Sequence, residues 1–168
     1  MNGSFPWWAA ATLVVIANAI SAAPAGLVGD FDFYNALRKP PLSPPDWLFA
    51  PIWLALNVTS AIALWQIANH SPPGPLRTTF LVSEAIGWVT FAAFTGLYFG
   101  LRNLTLAAAD TGVGLLAALV SLACAATIAA RGGATITPAA LIALRVAWLL
   151  VATYVSVSVV WLNRGGAP

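Results

Sequence analysis

The sequence contains very little charge. Of its 168 residues, 7% are Asp, Glu, Lys or Arg, whereas 60% are hydrophobic. A soluble domain carries about 25% charged residues, so this chain has too few to cover a surface that faces water. The same composition is too hydrophobic for a disordered protein. The sequence therefore predicts a protein that uses lipid as its solvent.

Cysteine and histidine are also scarce. A single cysteine, Cys124, excludes an internal disulfide and a CxxC metal site. With one histidine, His70, and no clustered carboxylates, the sequence predicts no metal bound by protein side chains. The few basic residues form no stripe along the chain, so we expect no nucleic-acid partner.

Long apolar segments, by contrast, are abundant. A membrane-spanning helix needs about 20 mostly apolar residues. Five segments have this character, at about 7–28, 47–68, 77–101, 104–130 and 138–162. We predict an all-α membrane protein in which residues 1–168 form a single domain, a bundle of five transmembrane helices in contact with the lipid bilayer.

The distribution of basic residues predicts how the bundle is oriented. Four of them fall on the side that holds the connection 29–46 and the C-terminus, and two fall on the opposite side. Because cytoplasmic loops carry an excess of Lys and Arg, we expect loop 29–46 and the C-terminus to face the cytoplasm.

The connection between the first and second spans, residues 29–46, is the long one. Its four prolines between residues 40 and 45 favour a stiff, extended path. One interpretation is a rigid linker between two helices. The other is a lid over a cavity, with Phe33 and Tyr34 facing inward, since loops on a rigid scaffold often carry function.

The stretch FYNALRKPPLSPPDWLFAPIW, residues 33–53, resembles the signature of the TspO/MBR family of tryptophan-rich sensory and translocator proteins. The matching positions lie along the loop and the second span, at Phe33, Tyr34, Leu37, Lys39, Pro40, Pro44, Pro45, Trp47, Phe49, Pro51 and Trp53. The chain length and the five predicted spans also agree with this family, so the resemblance extends over the whole chain.

This resemblance implies a compact bundle in a bacterial cell membrane, often as a homodimer. It also implies a porphyrin, a haem-related tetrapyrrole or another hydrophobic aromatic small molecule as ligand, held under loop 29–46 for sensing, sequestration or transfer. Carried over position by position, the ligand-binding residues are Tyr34, Pro44, Trp53, Asn57, Phe94, Trp148 and Ala152.

The sequence departs from the family pattern in the third and fifth spans. Phe91 and Phe94 stand where the family usually carries Asn and Trp, which adds aromatic surface to the expected pocket. Leu144 and Arg145 replace the usual Pro-Tyr of the fifth span. The lining of the pocket is therefore expected to include Phe91 and to differ from that of the family.

Charged residues also occur inside the predicted spans. Glu84 and Arg145 each lie about seven residues into a span that enters from the same side, so both are roughly 10 Å deep. Since an unpaired charge near the bilayer centre costs about 2.5–3.5 kcal/mol, this matching depth favours an ion pair. Trp88 and Trp148 share a helix face with these charges and are candidate ligand contacts. Asp110, in the fourth span, either caps its helix or lines the mouth of the cavity.

Two interpretations of Glu84 and Arg145 remain open from the sequence. They form a structural salt bridge between two helices, or they face the cavity and contact the ligand. In the second case the alternative function is a membrane-embedded isomerase, cyclase or hydrolase that acts on a lipophilic small molecule. Glu84 would then be the catalytic acid or base, and Arg145 would hold an anion.

Overall fold

The computed structural model describes residues 4–27 and 31–165, with the backbone alone described for residues 25–27 and 31. Residues 28–30, where the predicted first span ends and the predicted loop begins, lie outside the described residues. The described helices are α1 (Trp7–Leu27), α2 (Phe31–Ala36), α3 (Asp46–His70), α4 (Pro75–Thr95), α5 (Leu104–Ala130) and α6 (Thr137–Leu162), and a π-helical segment (Gly96–Gly100) continues α4.

The prediction of a five-helix transmembrane bundle is confirmed. Five helices, namely α1, α3, α4 with its π-helical segment, α5 and α6, are long and apolar enough to cross a membrane. Predicted span 104–130 coincides with α5, and the other predicted spans differ from the observed helices by one or two residues at their ends.

Local sequence explains where the helices begin. Pro75 occupies the first turn of α4, where its missing N–H costs no helical hydrogen bond. Asn103 caps α5, because its side-chain oxygen accepts a hydrogen bond of 3.0 Å from the Leu106 N–H. The preceding residue, Arg102, has a φ of 49°, which allows the chain to reverse direction between α4 and α5.

The connection between α1 and α3 is not the extended segment that its prolines suggested. Residues 31–36 form α2, and a turn closed by the Ser43 N–H and the Pro40 carbonyl follows. Proline restricts itself and the residue before it, so residues 31–36, which contain none, are free to become helical. The Pro-rich part of the loop is therefore confined to its second half.

The bundle is well packed in the half that lies far from this loop. Helices α4, α5 and α6 pack side by side, α3 packs on α6, and α1 packs on α3 and α4. Large side chains of four helices, including Ile67, Phe80, Ile128 and Ile142, form a buried core at the ends distant from the loop. The half of the bundle under the loop is packed less tightly and holds a cavity.

Candidate functional site

A cavity of about 610 Å³ opens between the helices under the loop. This volume falls in the usual range for small-molecule sites. All five membrane-spanning helices contribute to the wall, mostly with the part of their length nearer the loop, and Arg145 of α6 is among the deepest lining residues. Seven aromatic side chains line it, namely Tyr34, Phe49, Trp53, Phe91, Phe94, Tyr98 and Phe99.

Trp53 is the centre of the aromatic wall formed by α3, α4 and α6. Its ring lies 5.3 Å from that of Phe91 and 6.4 Å from that of Trp148, measured between centroids. Trp148 also contacts Phe49 in an edge-on arrangement at 5.4 Å. Such tilted and edge-on contacts are favourable for aromatic pairs, so Trp148 supports Phe49 and Trp53 from outside the lining.

The π-helical segment places two further aromatic rings on the cavity. The Leu101 N–H donates to the Gly96 carbonyl at 2.9 Å, five residues earlier, which widens the helix by one residue. Tyr98 and Phe99 are neighbours in sequence, and both line the cavity. Single π-helical turns inside α-helices often occur at functional sites.

The loop is fastened over the cavity by a cluster of three side chains. The Tyr34 hydroxyl donates to Asp46 Oδ1 at 2.5 Å, and Lys39 Nζ lies 3.1 Å from Asp46 Oδ2. The Lys39 ammonium also lies 3.5 Å from the centroid of the Tyr34 ring. Burial, together with the hydrogen bond to Asp46, raises the pKa of Tyr34 above its ordinary value, so this hydroxyl stays protonated.

A second attachment joins the loop to the end of α6. The Arg38 N–H donates to Asn163 Oδ1 at 3.1 Å, and Asn163 Nδ2 donates back to the Arg38 carbonyl at 3.1 Å. Asn163 thus forms two hydrogen bonds with the backbone of Arg38, one as acceptor and one as donor. With both attachments formed, the loop covers the cavity, which agrees with the interpretation of the loop as a lid.

Glu84 and Arg145 form an ion pair at the inner end of the cavity. Arg145 Nη1 lies 3.6 Å from Glu84 Oε2, and the two residues are 2% and 1% exposed, respectively. The Ser60 hydroxyl donates to Glu84 Oε2 at 2.5 Å and accepts from Arg145 Nη1 at 2.8 Å. Arg145 Nη2 donates to the Gly87 carbonyl at 2.9 Å. Three helices, α3, α4 and α6, are therefore joined through one buried polar cluster.

Arg145 and Glu84 differ in their access to the cavity. Arg145 and Gly87 belong to the lining, whereas Glu84 lies behind them. A Cβ atom at Gly87 would lie 3.1 Å from Arg145 Nη2, so the glycine provides the space for the guanidinium. Only the arginine of the pair is in position to contact a ligand.

The cavity brings together several of the residues expected from the sequence. These are Tyr34, Trp53, Phe91, Phe94, Arg145 and Ala152. Pro44, which is half-buried in the loop, and Trp148 are not among the lining residues.

Asn57 and Trp88 lie between helices and do not line the cavity. Asn57 is fully buried and contacts Asn18 of α1, with 3.4 Å between Nδ2 and Oδ1. Trp88 packs in an apolar cluster with alanines of α1 and α3. Its ring centroid lies 5.7 Å from the Arg145 guanidinium carbon, which is within the range of a cation–π contact.

The lining also contains polar residues that the sequence did not indicate, among them Asn18, Thr90, Thr111 and Ser156. These residue types are common in membrane helices, so their identity alone gives no signal. Across the described residues, no group of three or more His, Cys, Asp or Glu side chains is placed to hold a metal ion.

Comparisons with known proteins agree with the motif in the loop and α3. The model of the TspO/MBR family matches residues 8–162. Protein CrtK of Rhodobacter capsulatus is 26% identical over 153 residues, which cover 91% of this chain and 92% of that protein. Tryptophan-rich protein TspO of Chlorobaculum tepidum is 28% identical over 71 residues, which cover 42% of this chain and 45% of that protein.

Proposed function

Because this chain belongs to the TspO/MBR family and is an integral membrane protein, we propose that it binds a hydrophobic, flat aromatic ligand of the tetrapyrrole class in the cavity under the loop. Its role is then to sense, sequester or transfer that ligand. A homodimer and a cytoplasmic loop stay predictions, which rest on the family resemblance and on the distribution of basic residues.

One observation carries this proposal, namely a cavity of about 610 Å³ whose wall includes seven aromatic side chains. A flat conjugated ring system gains apolar burial and favourable stacking or edge contacts on such a wall. Trp53 and Phe91 offer adjacent tilted rings, and Phe94 stacks on Tyr98 at 5.5 Å. The lid supports the proposal as well, because it closes the side of the cavity through which a ligand could otherwise return to water.

The geometry favours binding over acid–base catalysis by Glu84. A catalytic acid or base must come within hydrogen-bond reach of its substrate. Glu84 is 1% exposed, accepts from Ser60, and is separated from the cavity by Arg145 and Gly87. The charged pair therefore favours a structural role, with Arg145 contributing its cavity-facing side to ligand contact.

Titration with protoporphyrin IX in detergent, followed by tryptophan fluorescence, tests the proposal. We expect quenching that saturates at one ligand per chain. Replacing Trp53 by Phe removes part of the aromatic contact and is expected to weaken binding about three- to tenfold.

The matched control is Trp47→Phe, since Trp47 is 73% exposed at the start of the same helix and does not line the cavity. Its affinity for protoporphyrin IX should equal that of the unmodified chain. Quenching that rises without saturation, or an equal loss in both variants, would show that the porphyrin partitions into the detergent and not into the cavity.

A further inference from the structure

Asp110 is a carboxylate inside a membrane span that lines the cavity and has no partner among the described residues. It lies six residues after the start of α5, about 9 Å along the helix from the end beneath the loop. It is half-buried, and among residues 4–27 and 31–165 it forms no hydrogen bond or ion pair. A charged side chain at such a position is costly and marks a functional site by default.

The other charges of the lining are already compensated. Asp46 is paired with Lys39, and Arg145 is paired with Glu84. Asp110 is therefore the remaining charge of the described lining, and it gives the cavity a net negative character. A ligand that brings a positive charge would supply the partner that the protein does not provide.

The polar groups beside Asp110 are also suited to accept hydrogen bonds. Thr111, the next residue, donates its hydroxyl proton to the Ala107 carbonyl at 2.9 Å, so its oxygen can act only as an acceptor for further hydrogen bonds. Ser156 of α6 lies 3.5 Å from the Thr111 hydroxyl, oxygen to oxygen, and also lines the cavity. The Asp110 carboxylate and the Thr111 hydroxyl oxygen are both hydrogen-bond acceptors, so they fit a ligand group that donates hydrogen bonds.

We infer that Asp110 and Thr111 form a recognition site for a protonated nitrogen on the ligand. This inference rests on the proposed function, because it assumes that the cavity binds an aromatic ligand. A metal cation is a poorer fit, since no group of three or more metal-ligating side chains occurs among the described residues. The positive charge is thus expected to belong to the ligand itself.

The position of Asp110 also predicts how the ligand is oriented. Arg145 lies about 25 Å from the end of α6 that is beneath the loop. Asp110 lies about 9 Å from the end of α5 that is beneath the loop, so the depths of the two residues differ by about 16 Å. Trp53, Phe91 and Phe94 lie about 9 to 14 Å from the ends of α3 and α4 beneath the loop, so they begin level with Asp110 and extend toward Arg145. The cationic end of the ligand therefore points toward the loop, and its apolar body lies against Trp53, Phe91 and Phe94.

Three protoporphyrin derivatives that differ only in their side arms test this inference. The arms end in ammonium groups, in methyl esters or in free carboxylates. Because hydrogen bonds to charged groups are stronger than those between neutral groups, we expect the ammonium form to bind about tenfold or more tightly than the ester, with the carboxylate form weakest. Replacement of Asp110 by Asn should bring the ratio of ammonium to ester affinity close to one.

The control variant is Asp32→Asn, which removes an equal charge from an exposed position on the same side of the protein. It should retain the preference for the ammonium form. A preference that Asp32→Asn abolishes as fully as Asp110→Asn would overturn the inference, because overall charge would then explain it.

Two further outcomes distinguish a failure of this inference from a failure of the proposed function. Asp110→Asn is nearly isosteric and removes an unpaired charge from the membrane, so it should fold, and Asp110→Ser provides a second variant. If all three probes bind and the affinity ratio is the same in these variants as in the unmodified chain, the inference about Asp110 is wrong while the proposed function stands. If no probe binds the unmodified chain, both are wrong.

Discussion

Arg145 Nη1 and Glu84 Oε2 lie 3.6 Å apart in the interior of the bundle, and the Ser60 hydroxyl is hydrogen-bonded to both side chains. The serine mediates the contact, since it accepts from the guanidinium and donates to the carboxylate. The cluster joins α3, α4 and α6 at the inner end of the cavity. The cluster therefore stabilises the packing of these helices, and we expect its disruption to lower the stability of the protein.

Replacement of Glu84 by Gln tests this role. It leaves the Arg145 guanidinium buried without a counter-charge, and removal of one partner from a buried pair costs about 3–5 kcal/mol. We expect a clearly lower thermal unfolding midpoint in detergent. An unchanged midpoint would mean that the pair contributes little to the bundle.

The matching control replaces both partners, as Glu84→Gln with Arg145→Met. Methionine removes the buried positive charge and keeps much of the side-chain volume, and glutamine can still hydrogen-bond to the Ser60 hydroxyl, so no ion is left without a counter-charge. The double variant should unfold at a higher temperature than Glu84→Gln alone. A double variant less stable than the single one would contradict the explanation by an uncompensated charge.

Gly87 provides an independent test of the guanidinium position. A Cβ atom there would lie 3.1 Å from Arg145 Nη2, whereas a Cβ atom at Gly112 meets nothing within 4 Å. Alanine is favoured over glycine in a helix by about 1 kcal/mol, so Gly112→Ala should not lower the unfolding midpoint. Gly87→Ala should lower it relative to Gly112→Ala, because Ser60 and the Gly87 carbonyl hold the guanidinium in place. Equal midpoints for the two variants would show that the arginine moves freely.

Ala152 offers a way to fill the cavity from α6. It is buried and lines the cavity, so leucine at this position would occupy space that the ligand needs. We expect Ala152→Leu to weaken protoporphyrin IX binding about tenfold or more while the protein stays folded. Ala109→Leu, on the exposed face of α5, is the control and should bind normally. Full affinity in Ala152→Leu would place the ligand elsewhere.

Tyr34 is expected to control how often the lid opens. Tyr34→Phe keeps the ring under the Lys39 ammonium but removes the hydrogen bond to Asp46. Loss of a hydrogen bond worth about 1 kcal/mol should speed hydrogen exchange of the amides in residues 35–39 about fivefold. Tyr154→Phe, at an exposed tyrosine of α6, should leave these amides unchanged. Equal exchange in both variants would show that the Lys39–Asp46 ion pair and the Asn163 attachment hold the lid without the Tyr34 hydrogen bond.

The sequence predicts the five spans well because length and hydropathy are sufficient to define them. It predicts the depth match of Glu84 and Arg145 for a similar reason, since helix rise converts sequence position into depth. It does not predict that Glu84 lies behind the lining. A membrane helix is apolar on its lipid face and on its packed face, so periodicity does not reveal how the helix is rotated about its axis.

The local deviations from regular helix could not be predicted for a different reason. Helix α2 has six residues, too few to be stable alone, and its side chains pack on the aromatic cluster around Tyr98. The π-helical segment likewise depends on what Tyr98 and Phe99 contact. Both features are consequences of tertiary packing around the cavity, which is why they lie at the candidate site.

The most direct test of this account is an experimental structure of the protein with protoporphyrin IX bound. We expect the tetrapyrrole ring to lie in the cavity, in contact with Trp53, Phe91 and Phe94 and beneath a closed loop. A ring bound in the groove between α1 and α3, against Trp7 and Trp65 on the lipid-facing surface, would contradict it.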